Sequence, residues 1–337
     1  MATTEDRYIS LLTDFGFKRI FGTAPNKDLL INFLNSLFNG EQVVKDVKYL
    51  NTEHFGDGNS TRKAIFDVYC EGEDGEKFIV EMQNAYQQHF KDRSVFYSTF
   101  PIREQALKGS DWDFNLSRVY TIALLNFDMK EEAFDKDTIT HTVKLCDIET
   151  NKVFYKKLDF IYVEIAKFQK TEEELENLYD KWLYVLKNLY KLESRPQALR
   201  DKVFDRLFKE AEIAAFTPEE LREYEDSLKA YRDIKNSIET ARREGLEKGR
   251  AEGLEKGRAE GLEKGRAEGL EKGRAEGLEK GRAEGLEKGR AEGLEKGRAE
   301  GEKSKSVTVA RKMKEKGFPA SDISEVTGLT EEEIEAL

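Results

Sequence analysis

The amino-acid sequence predicts an α/β domain followed by helices, a repeat and a small helical module. Three observations predict this organisation. Helix-like and strand-like segments alternate in the first half, only helical patterns follow up to residue 240, and an eight-residue repeat begins at Arg242. With 337 residues, 38% of them hydrophobic, the chain can build one sizeable core and leave solvated segments outside it. The expected parts are a domain of residues 1–240 (core about 8–165, helical extension 171–240), a repeat of residues 241–301 and a module of residues 302–337.

The core begins with the order helix, three strands, helix, strand. NKDLLINFLNSLFNG has the pattern of an amphipathic helix that stops at Asn39-Gly40. Strand-like runs follow near residues 43–51, 63–70 and 77–83. RSVFYSTFPIREQALKG predicts a second helix, kinked or begun again at Pro101. SRVYTIALLNF predicts a buried strand, because its apolar run is nearly continuous.

Helical patterns fill the extension. TEEELENLYDKWLYVLKNLYKL starts with a capping box formed by Thr171 and Glu174, and its apolar residues recur at helical spacing. Another helix is predicted after Pro196. A third is predicted at TPEEL, with Thr217 as the cap and Pro218 at the first helical position.

Composition and charge narrow the class of protein. No apolar run reaches the roughly 18 residues of a membrane span, and MATTEDRYIS lacks the layout of a signal peptide, so we expect a cytoplasmic protein with no membrane partner. Two distant cysteines and three histidines argue against a disulfide framework or a zinc site, so a bound metal should have oxygen ligands. Because the net charge is -11, DNA binding would need a local basic patch.

Two carboxylates stand inside neighbouring strand-like runs of FDVYCEGEDGEKFIVEMQ, where burial is costly unless something compensates the charge. A two-residue turn would place Asp67 opposite Met82, whereas the three-residue loop Glu73-Asp74-Gly75 would place Asp67 opposite Glu81. The second register gathers six apolar residues on one face, so we predict it. These residues are Phe66, Val68, Cys70, Phe78, Val80 and Met82.

Directly opposed carboxylates would have side-chain origins about 4.5 to 5.5 Å apart. Like charges at this distance repel, so either one group takes up a proton or a cation neutralises both. The cation that fits oxygen ligands is Mg²⁺, which joins one or two carboxylates to substrate phosphates. The alternative is an ion pair between one carboxylate and a basic residue such as Lys63.

Three segments in order carry a family resemblance: LLTDFGFKRIFG, AIFDVYCEGEDGEKFIVEMQ and RSVFYSTFPIREQALKGSDW. Asp67 in IFDV, followed by Glu81-Met82-Gln83 as E-x-Q, adds to it. The chain therefore resembles the PD-(D/E)xK nuclease superfamily over roughly residues 8–240. More narrowly, it resembles the bacterial recombination-promoting nuclease or putative transposase family. The resemblance implies a restriction-endonuclease-like core.

The resemblance also implies catalytic residues. Asp67 and Glu81 would bind the metal together with the backbone carbonyl of Met82. Gln83 would complete the catalytic set where the broader fold has a lysine. An amide can orient water, but it cannot supply the positive charge that stabilises a transition state. Lys18 or Lys63 would supply that charge instead.

Accessory residues follow from the same resemblance. Asp14 and Lys18 match the amino-terminal motif, and Asp14 would bind metal or help to position the site. The alternative for Asp14 is that it caps a short helix. Arg93 and Gln105 lie on the second predicted helix and would contact DNA phosphates.

The implied activity is hydrolysis of phosphodiester bonds in DNA with Mg²⁺, or Mn²⁺ as an alternative. Two other classes of function stay open. One is a nuclease-fold protein that binds DNA or another protein with weak or absent catalysis, which Gln83 in place of lysine favours. The other is a scaffold built on the repeat.

The repeat unit RAEGLEKG occurs seven times from Arg242 to Gly297, the first time as RREGLEKG. Its Glu–Lys and Glu–Arg spacings support a helix by ~0.2 to 0.5 kcal/mol per pair. Each of its two glycines costs about 1 kcal/mol relative to alanine. We predict a marginal helix or a flexible linker, which serves as a solvated spacer or, alternatively, as an oligomerisation rod.

The last segment, VARKMKEKGFPASDISEVTGLTEEEIEAL, predicts three short helices around a very small core and looks like a helix-turn-helix. Gly328 is a stop signal, and Thr330 and Glu333 form a capping box. Glutamates crowd the helix that would read DNA, and they would repel phosphate. We therefore predict protein interaction or self-association, with a homo-oligomer formed through the repeat or this module.

Overall fold

The structure is a computed structural model that describes residues 2–54, 64–106 and 113–337. The chain divides into two compact units, Met1–Glu244 and Gly245–Leu337. The first unit contains both sheets and most of the hydrophobic core. Among the described helices, none combines the length and the apolar surface needed to pass through a bilayer.

A six-stranded mixed sheet forms the centre of the first unit. Its strands are β1 (Val47–Tyr49), β4 (Val68–Gly72), β5 (Lys77–Gln83), β6 (Val119–Leu125), β7 (Thr140–Cys146) and β8 (Val153–Glu164), and the spatial order is β1-β4-β5-β6-β8-β7. Strands β5, β6 and β8 are parallel, and the other pairs are antiparallel. Strands β2 (Glu53–His54) and β3 (Ala64–Ile65) form a separate two-stranded sheet.

Helices cover both faces of the large sheet. On one face lie α1 (Asp14–Phe21), α2 (Lys27–Phe38), α4 (Leu178–Asn188), α5 (Lys202–Glu210) and the start of α6 (Pro218–Glu315). They share one hydrophobic cluster with the sheet side chains Val68, Val80 and Ile122. On the other face, α3 (Phe90–Glu104) packs Phe100 against Ile79 and Phe90 against Ala123. The central strands β5 and β6 are therefore buried on both sides, as their apolar sequences require, whereas β7 and the first half of β8 are largely exposed.

Within the large sheet the expected order of helix, three strands, helix and strand is present, because β1, β4 and β5 lie between α2 and α3 and β6 follows α3. The two short strands β2 and β3 are additional, and the mixed α/β fold with a six-stranded sheet fits a PD-(D/E)xK nuclease. The predicted register is also confirmed, because Val68 pairs with Val80 and Cys70 with Phe78. The Gly72 N–H donates to the Glu76 carbonyl at 2.8 Å, and this pair closes a loop of three residues, Glu73, Asp74 and Gly75. Gly75 adopts the left-handed conformation that this loop needs (φ +79°).

One detail of that prediction is wrong. Phe66 does not share a face with Val68, because it packs with Tyr69, Ile79 and Phe100 on the side covered by α3. The backbone turns between the ends of β3 and β4, so the predicted strand of residues 63–70 is two strands. The turn occurs at Phe66 and Asp67, and this break shapes the candidate site.

The extension differs from its prediction at one boundary. The capping box is present, with the Thr171 N–H donating to Glu174 Oε2 at 2.7 Å, but it closes only a 3₁₀ turn, Glu172–Glu174. Helix α4 begins four residues later at Leu178, where Asn177 Oδ1 accepts from the Asp180 N–H at 2.8 Å. The predicted start of α6 is correct, because Thr217 caps it and Pro218 is its first residue.

In the second unit, α6 continues as helix through the octad repeat to Glu315. The repeat leucines are exposed, and apart from the helix's own backbone no atom of the described residues lies within 4 Å of an added Cβ at any repeat glycine. The module contains α7 (Ala320–Thr327) and α8 (Glu331–Glu335). Ala310, Ile323, Leu329 and Ile334 form its small core, and Gly328 ends α7 in the left-handed conformation.

Candidate metal and nucleic-acid site

The end of β5 brings the two predicted carboxylates together. Following the register of β4 and β5, Asp67 stands opposite Glu81, and the Asp67 N–H donates to Glu81 Oε1 at 3.1 Å. Asp67 Oδ2 accepts from the Met82 N–H at 2.8 Å. Gln83 Nε2 donates to Glu81 Oε2 at 3.2 Å. All four residues of the predicted metal and catalytic set therefore meet in one network.

The break before β4 gives Met82 a special position. In a continued ladder the Phe66 N–H would donate to the Met82 carbonyl, but Phe66 donates instead to the Thr52 carbonyl at 2.9 Å. Lys77 N–H and Gln83 C=O both pair with the β6 side of the strand. Because backbone groups alternate along a strand, the Met82 carbonyl points to the opposite side, toward Asp67. The carbonyl thus lies on the β4 side of β5, the side on which Asp67 meets Glu81.

Burial dominates the electrostatics of the pair. It raises the pKa of Asp67 to about 6, against the opposing effect of the hydrogen bond from Met82. Burial, followed by the charge of Asp67, raises the pKa of Glu81 to about 8. Within the described residues, no ion pair joins a basic side chain to either carboxylate at 4 Å or less. Lys63, the ion-pair partner considered as the alternative, lies outside the described residues.

Helix α1 brings Lys18 toward the pair. Lys18 Nζ lies 2.7 Å from Asp14 Oδ1. Burial lowers the pKa of Lys18, but the hydrogen bond and charge of Asp14, followed by the charges of Asp67 and Glu81, outweigh it and leave this pKa raised. The helix cap is Thr13, whose Oγ1 accepts from the Gly16 N–H at 3.1 Å, so Asp14 is not the cap.

Arg93 and Gln105 lie on α3 and at its end. The charge of Arg93 lowers the pKa of both Asp67 and Glu81, after larger contributions from burial and backbone contacts. Its guanidinium donates to Gln87 Oε1 at 2.7 Å and lies 5.6 Å from the centre of the Tyr97 ring. Gln105 uses its amide within the fold, since Nε2 donates to the Pro101 carbonyl and Oε1 accepts from the Ser117 N–H. Its predicted DNA contact would have to break these bonds.

A cleft of about 900 Å³ opens beside the pair and is lined by Asp14, Lys18 and Asp67 together with residues of α6. A second cleft of about 500 Å³ adjoins it. Both clefts are of a size that small ligands or single nucleotides occupy. Within the described residues, no group of three or more His, Cys, Asp or Glu side chains is placed to hold a metal.

The sequence prediction missed Asn84, which connects three parts of the site. Asn84 Nδ2 donates to the Leu12 carbonyl at 2.6 Å, and its Oδ1 accepts from Asn126 Nδ2 at 3.3 Å. The Asn126 N–H in turn donates to the Gln83 carbonyl at 2.8 Å. A polar residue directly after an apolar strand was the signal that could have found it, because strand ends carry the functional groups of such sheets.

The mixed α/β fold with its six-stranded sheet fits a nuclease-superfamily domain. The chain belongs to the PD-(D/E)XK nuclease family transposase group, whose family model matches residues 11–241. No curated protein and no solved structure shows significant similarity to the chain. Nucleases of this superfamily generally use divalent metal ions.

Proposed function

We propose that this protein is a metal-dependent DNA endonuclease of the recombination-promoting, transposase-like type. The observation that carries the proposal is the meeting of Asp67, Glu81 and the Met82 carbonyl at a break in the sheet. The family assignment supports a nuclease-like function. The network supports the choice of these residues because burial raises the pKa of both carboxylates, to about 6 for the half-buried Asp67 and about 8 for the buried Glu81, and a bound cation would stabilise their ionised forms at neutral pH.

The residues present fit a hard cation. Asp67, Glu81 and the Met82 carbonyl would hold Mg²⁺ or Mn²⁺, both of which accept oxygen ligands. When bound, the ion would lower the pKa of a water and stabilise charge that develops on the phosphate. The protein keeps the two carboxylates together through the backbone bonds of Asp67 and Met82, so little reorganisation is needed to form the site.

Gln83 has a positioning role in this proposal. Its amide donates to Glu81 Oε2 and so fixes the orientation of that carboxylate. Lys18 provides the positive charge that the broader fold places at the position of Gln83, since the fields of Asp67 and Glu81 already reach it. Asp14 holds Lys18 in place at 2.7 Å. Arg93, at the end of α3 nearest the pair, is the better candidate of the two α3 residues for a phosphate contact.

One observation favours a second function. Gln83 cannot supply charge, and a protein that uses the same fold to bind DNA with little catalysis would tolerate it. The two functions differ in a measurable way. A nuclease needs ionised Asp67 and Glu81 to cleave DNA, so replacing either residue should abolish cleavage. A protein that only binds DNA uses its surface and should bind equally well without these two carboxylates.

Cleavage of supercoiled plasmid tests the proposal. The full-length protein should nick or linearise plasmid with Mg²⁺ or Mn²⁺ and not with EDTA. Asp67→Asn should lower the rate at least about a hundredfold, because it removes a metal ligand and retains the size of the side chain. The control is Asp147→Asn, an exposed carboxylate on the turn between β7 and β8. Full activity of Asp67→Asn would overturn the assignment of the site.

A further inference from the structure

The second cleft differs in chemistry from the first. Its walls carry four aromatic side chains, Tyr86, Phe127, Tyr190 and Tyr231. Tyr86 is 53% exposed, and its ring meets Phe127 edge to face with the ring centres 5.8 Å apart. Phe127 thereby contacts the Tyr86 ring, while about half of the Tyr86 surface stays exposed in the cleft.

Cations line the same cleft. The charged side chains that line it are three lysines, Lys187, Lys191 and Lys235, and one carboxylate, Glu239. Lys191 Nζ donates to Asn188 Oδ1, and Lys187 Nζ donates to two backbone carbonyls, so both are held in place. Burial, and after it the charge of Lys191, lowers the pKa of Lys187. Lys235, among the described residues, has no ion-pair or hydrogen-bond partner, which leaves its charge available to a ligand.

In the first cleft, the charged side chains that α6 contributes are acidic. There Glu220, Glu223 and Asp226 line the wall, and Arg19 is paired with Glu220 at 2.6 Å. A phosphate chain that leaves Asp67 is therefore repelled along the first part of α6 and attracted along the part that carries Lys235. The distribution of charge along α6 therefore favours a nucleic-acid path from Asp67 into the second cleft.

The two clefts are continuous. Both are lined by Leu12, Asn84, Tyr231 and Ile234, so the path from Asp67 into the second cleft passes the Asn84 side chain. Rings that accept the face of a base, next to lysines that accept phosphate, are the combination that binds single-stranded nucleic acid. A paired base cannot offer its face to Tyr86, because its neighbours in the duplex already cover that face.

We propose that the second cleft binds an unpaired nucleotide segment next to the phosphate that is cut, with Tyr86 stacking on a base and Lys235 contacting the backbone. This inference deepens the proposed function and rests on it for the position of the cut. The preferred substrate is then DNA with a single-stranded segment, such as a flap, an overhang or an opened duplex.

Binding of a labelled oligothymidylate of about 12 nucleotides tests the inference, since its length matches known single-strand sites and it forms no duplex. Fluorescence anisotropy of the full-length protein in EDTA measures binding without cleavage. Tyr86→Ala should weaken binding about tenfold. Lys235→Gln should weaken binding and reduce the slope of log Kd against log salt by about 0.7, the value for one lost phosphate contact on a single strand.

Two exposed residues outside the clefts are matched controls: Phe154→Ala on β8 and Lys229→Gln on α6. Both should bind like the wild type. The inference is overturned if the wild type does not bind the oligonucleotide, if the Tyr86 and Lys235 variants bind it like the controls, or if blunt duplex binds as tightly and loses as much affinity in both variants.

A forked duplex with Mg²⁺ separates this inference from the proposed function. Cleavage of plasmid without any binding of oligothymidylate would contradict the cleft assignment alone. Binding through Tyr86 and Lys235 without cleavage of any DNA would contradict the endonuclease and leave the cleft as a single-strand site. Cleavage of the fork next to its unpaired arm, reduced in Tyr86→Ala, would support both.

Discussion

At the scale of single residues, the site depends on two carboxylates that the fold makes hard to ionise. Their folded pKa values, about 6 for Asp67 and about 8 for Glu81, lie above those of unfolded carboxyl groups. Between roughly pH 4 and pH 8 the native state therefore holds protons that the unfolded state has released. The free energy of unfolding of the metal-free protein falls as pH rises through this window.

Glu81→Gln should remove most of this fall, because an amide does not titrate and can still accept from the Asp67 N–H. Relative to wild type, the variant should gain on the order of 2 kcal/mol in unfolding free energy between pH 5 and pH 8.5. Urea unfolding in EDTA at both pH values measures the difference. If the unfolding free energies of the wild type and Glu81→Gln changed equally with pH, Glu81 would ionise in the folded protein as it does in the unfolded chain, and the prediction would be wrong.

Metal binding should depend on pH with the opposite sign. Both carboxylates must lose their protons to act as ligands, so Mn²⁺ affinity should increase by about tenfold or more from pH 6 to pH 8, with release of protons. Calorimetric titration in two buffers of different ionisation enthalpy reports both quantities. Asp67→Asn should abolish binding, whereas Asp147→Asn should leave it intact. Binding that is independent of pH would contradict the predicted site.

At the scale of elements, Gly16 fixes the start of α1 and with it Asp14 and Lys18. A Cβ at this position would lie 2.2 Å from the Ser10 carbonyl oxygen and 2.9 Å from Thr13 Oγ1, the group that caps the helix. Gly16→Ala should therefore cost roughly 1 to 3 kcal/mol in unfolding free energy. Gly245→Ala is the control, since nothing lies near its Cβ position and the change should be neutral or stabilising.

Those two glycines should also differ in catalysis. Because Gly16→Ala displaces the cap of α1, it should lower the cleavage rate below that of the wild type at temperatures where both proteins are folded. Gly245→Ala should cleave at the wild-type rate. Equal stability and equal activity of the two variants would show that the Ser10 carbonyl moves aside without consequence.

The local sequence pattern was sufficient to predict the register of β4 and β5 but not the position of Phe66. Alternation of apolar residues predicted the register of β4 and β5, because a slip of one residue would move every side chain to the other face. It could not predict that Phe66 changes face. The Thr52 carbonyl that takes the Phe66 N–H comes from another part of the chain.

Long-range packing explains what was missed at the site. Asn84 acquires its role only when the Leu12 carbonyl lies beside the end of β5. Tyr231 and Lys235 belong to α6, for which the sequence pattern predicted a start but no place in the site, and they reach the clefts because α6 packs beside α1. Sequence spacing can indicate the two opposed carboxylates, but it cannot show which distant helix forms the wall of a cleft.

At the scale of the whole molecule, the carboxy-terminal module presents apolar side chains that its own core does not use. Val309, Phe318 and Val326 are 42%, 50% and 65% exposed. Its last helix carries glutamates at four of its five positions, which disfavours phosphate. The module therefore fits a protein partner better than DNA, and a second copy of the chain is the partner that we expect.

The double variant Phe318→Ser, Val326→Ser tests this expectation without disturbing the core of Ala310, Ile323, Leu329 and Ile334. Light scattering coupled to size-exclusion chromatography should show a mass several-fold that of one chain for the wild type and close to one chain for the variant. Leu278→Ser, an exposed leucine of the repeat, is the control and should keep the wild-type mass. If the repeat holds the oligomer, the control would dissociate and the double variant would not. Loss of DNA affinity with an unchanged mass would instead make the module a DNA-binding element, because the exposed side chains would then contact nucleic acid despite the charge of α8.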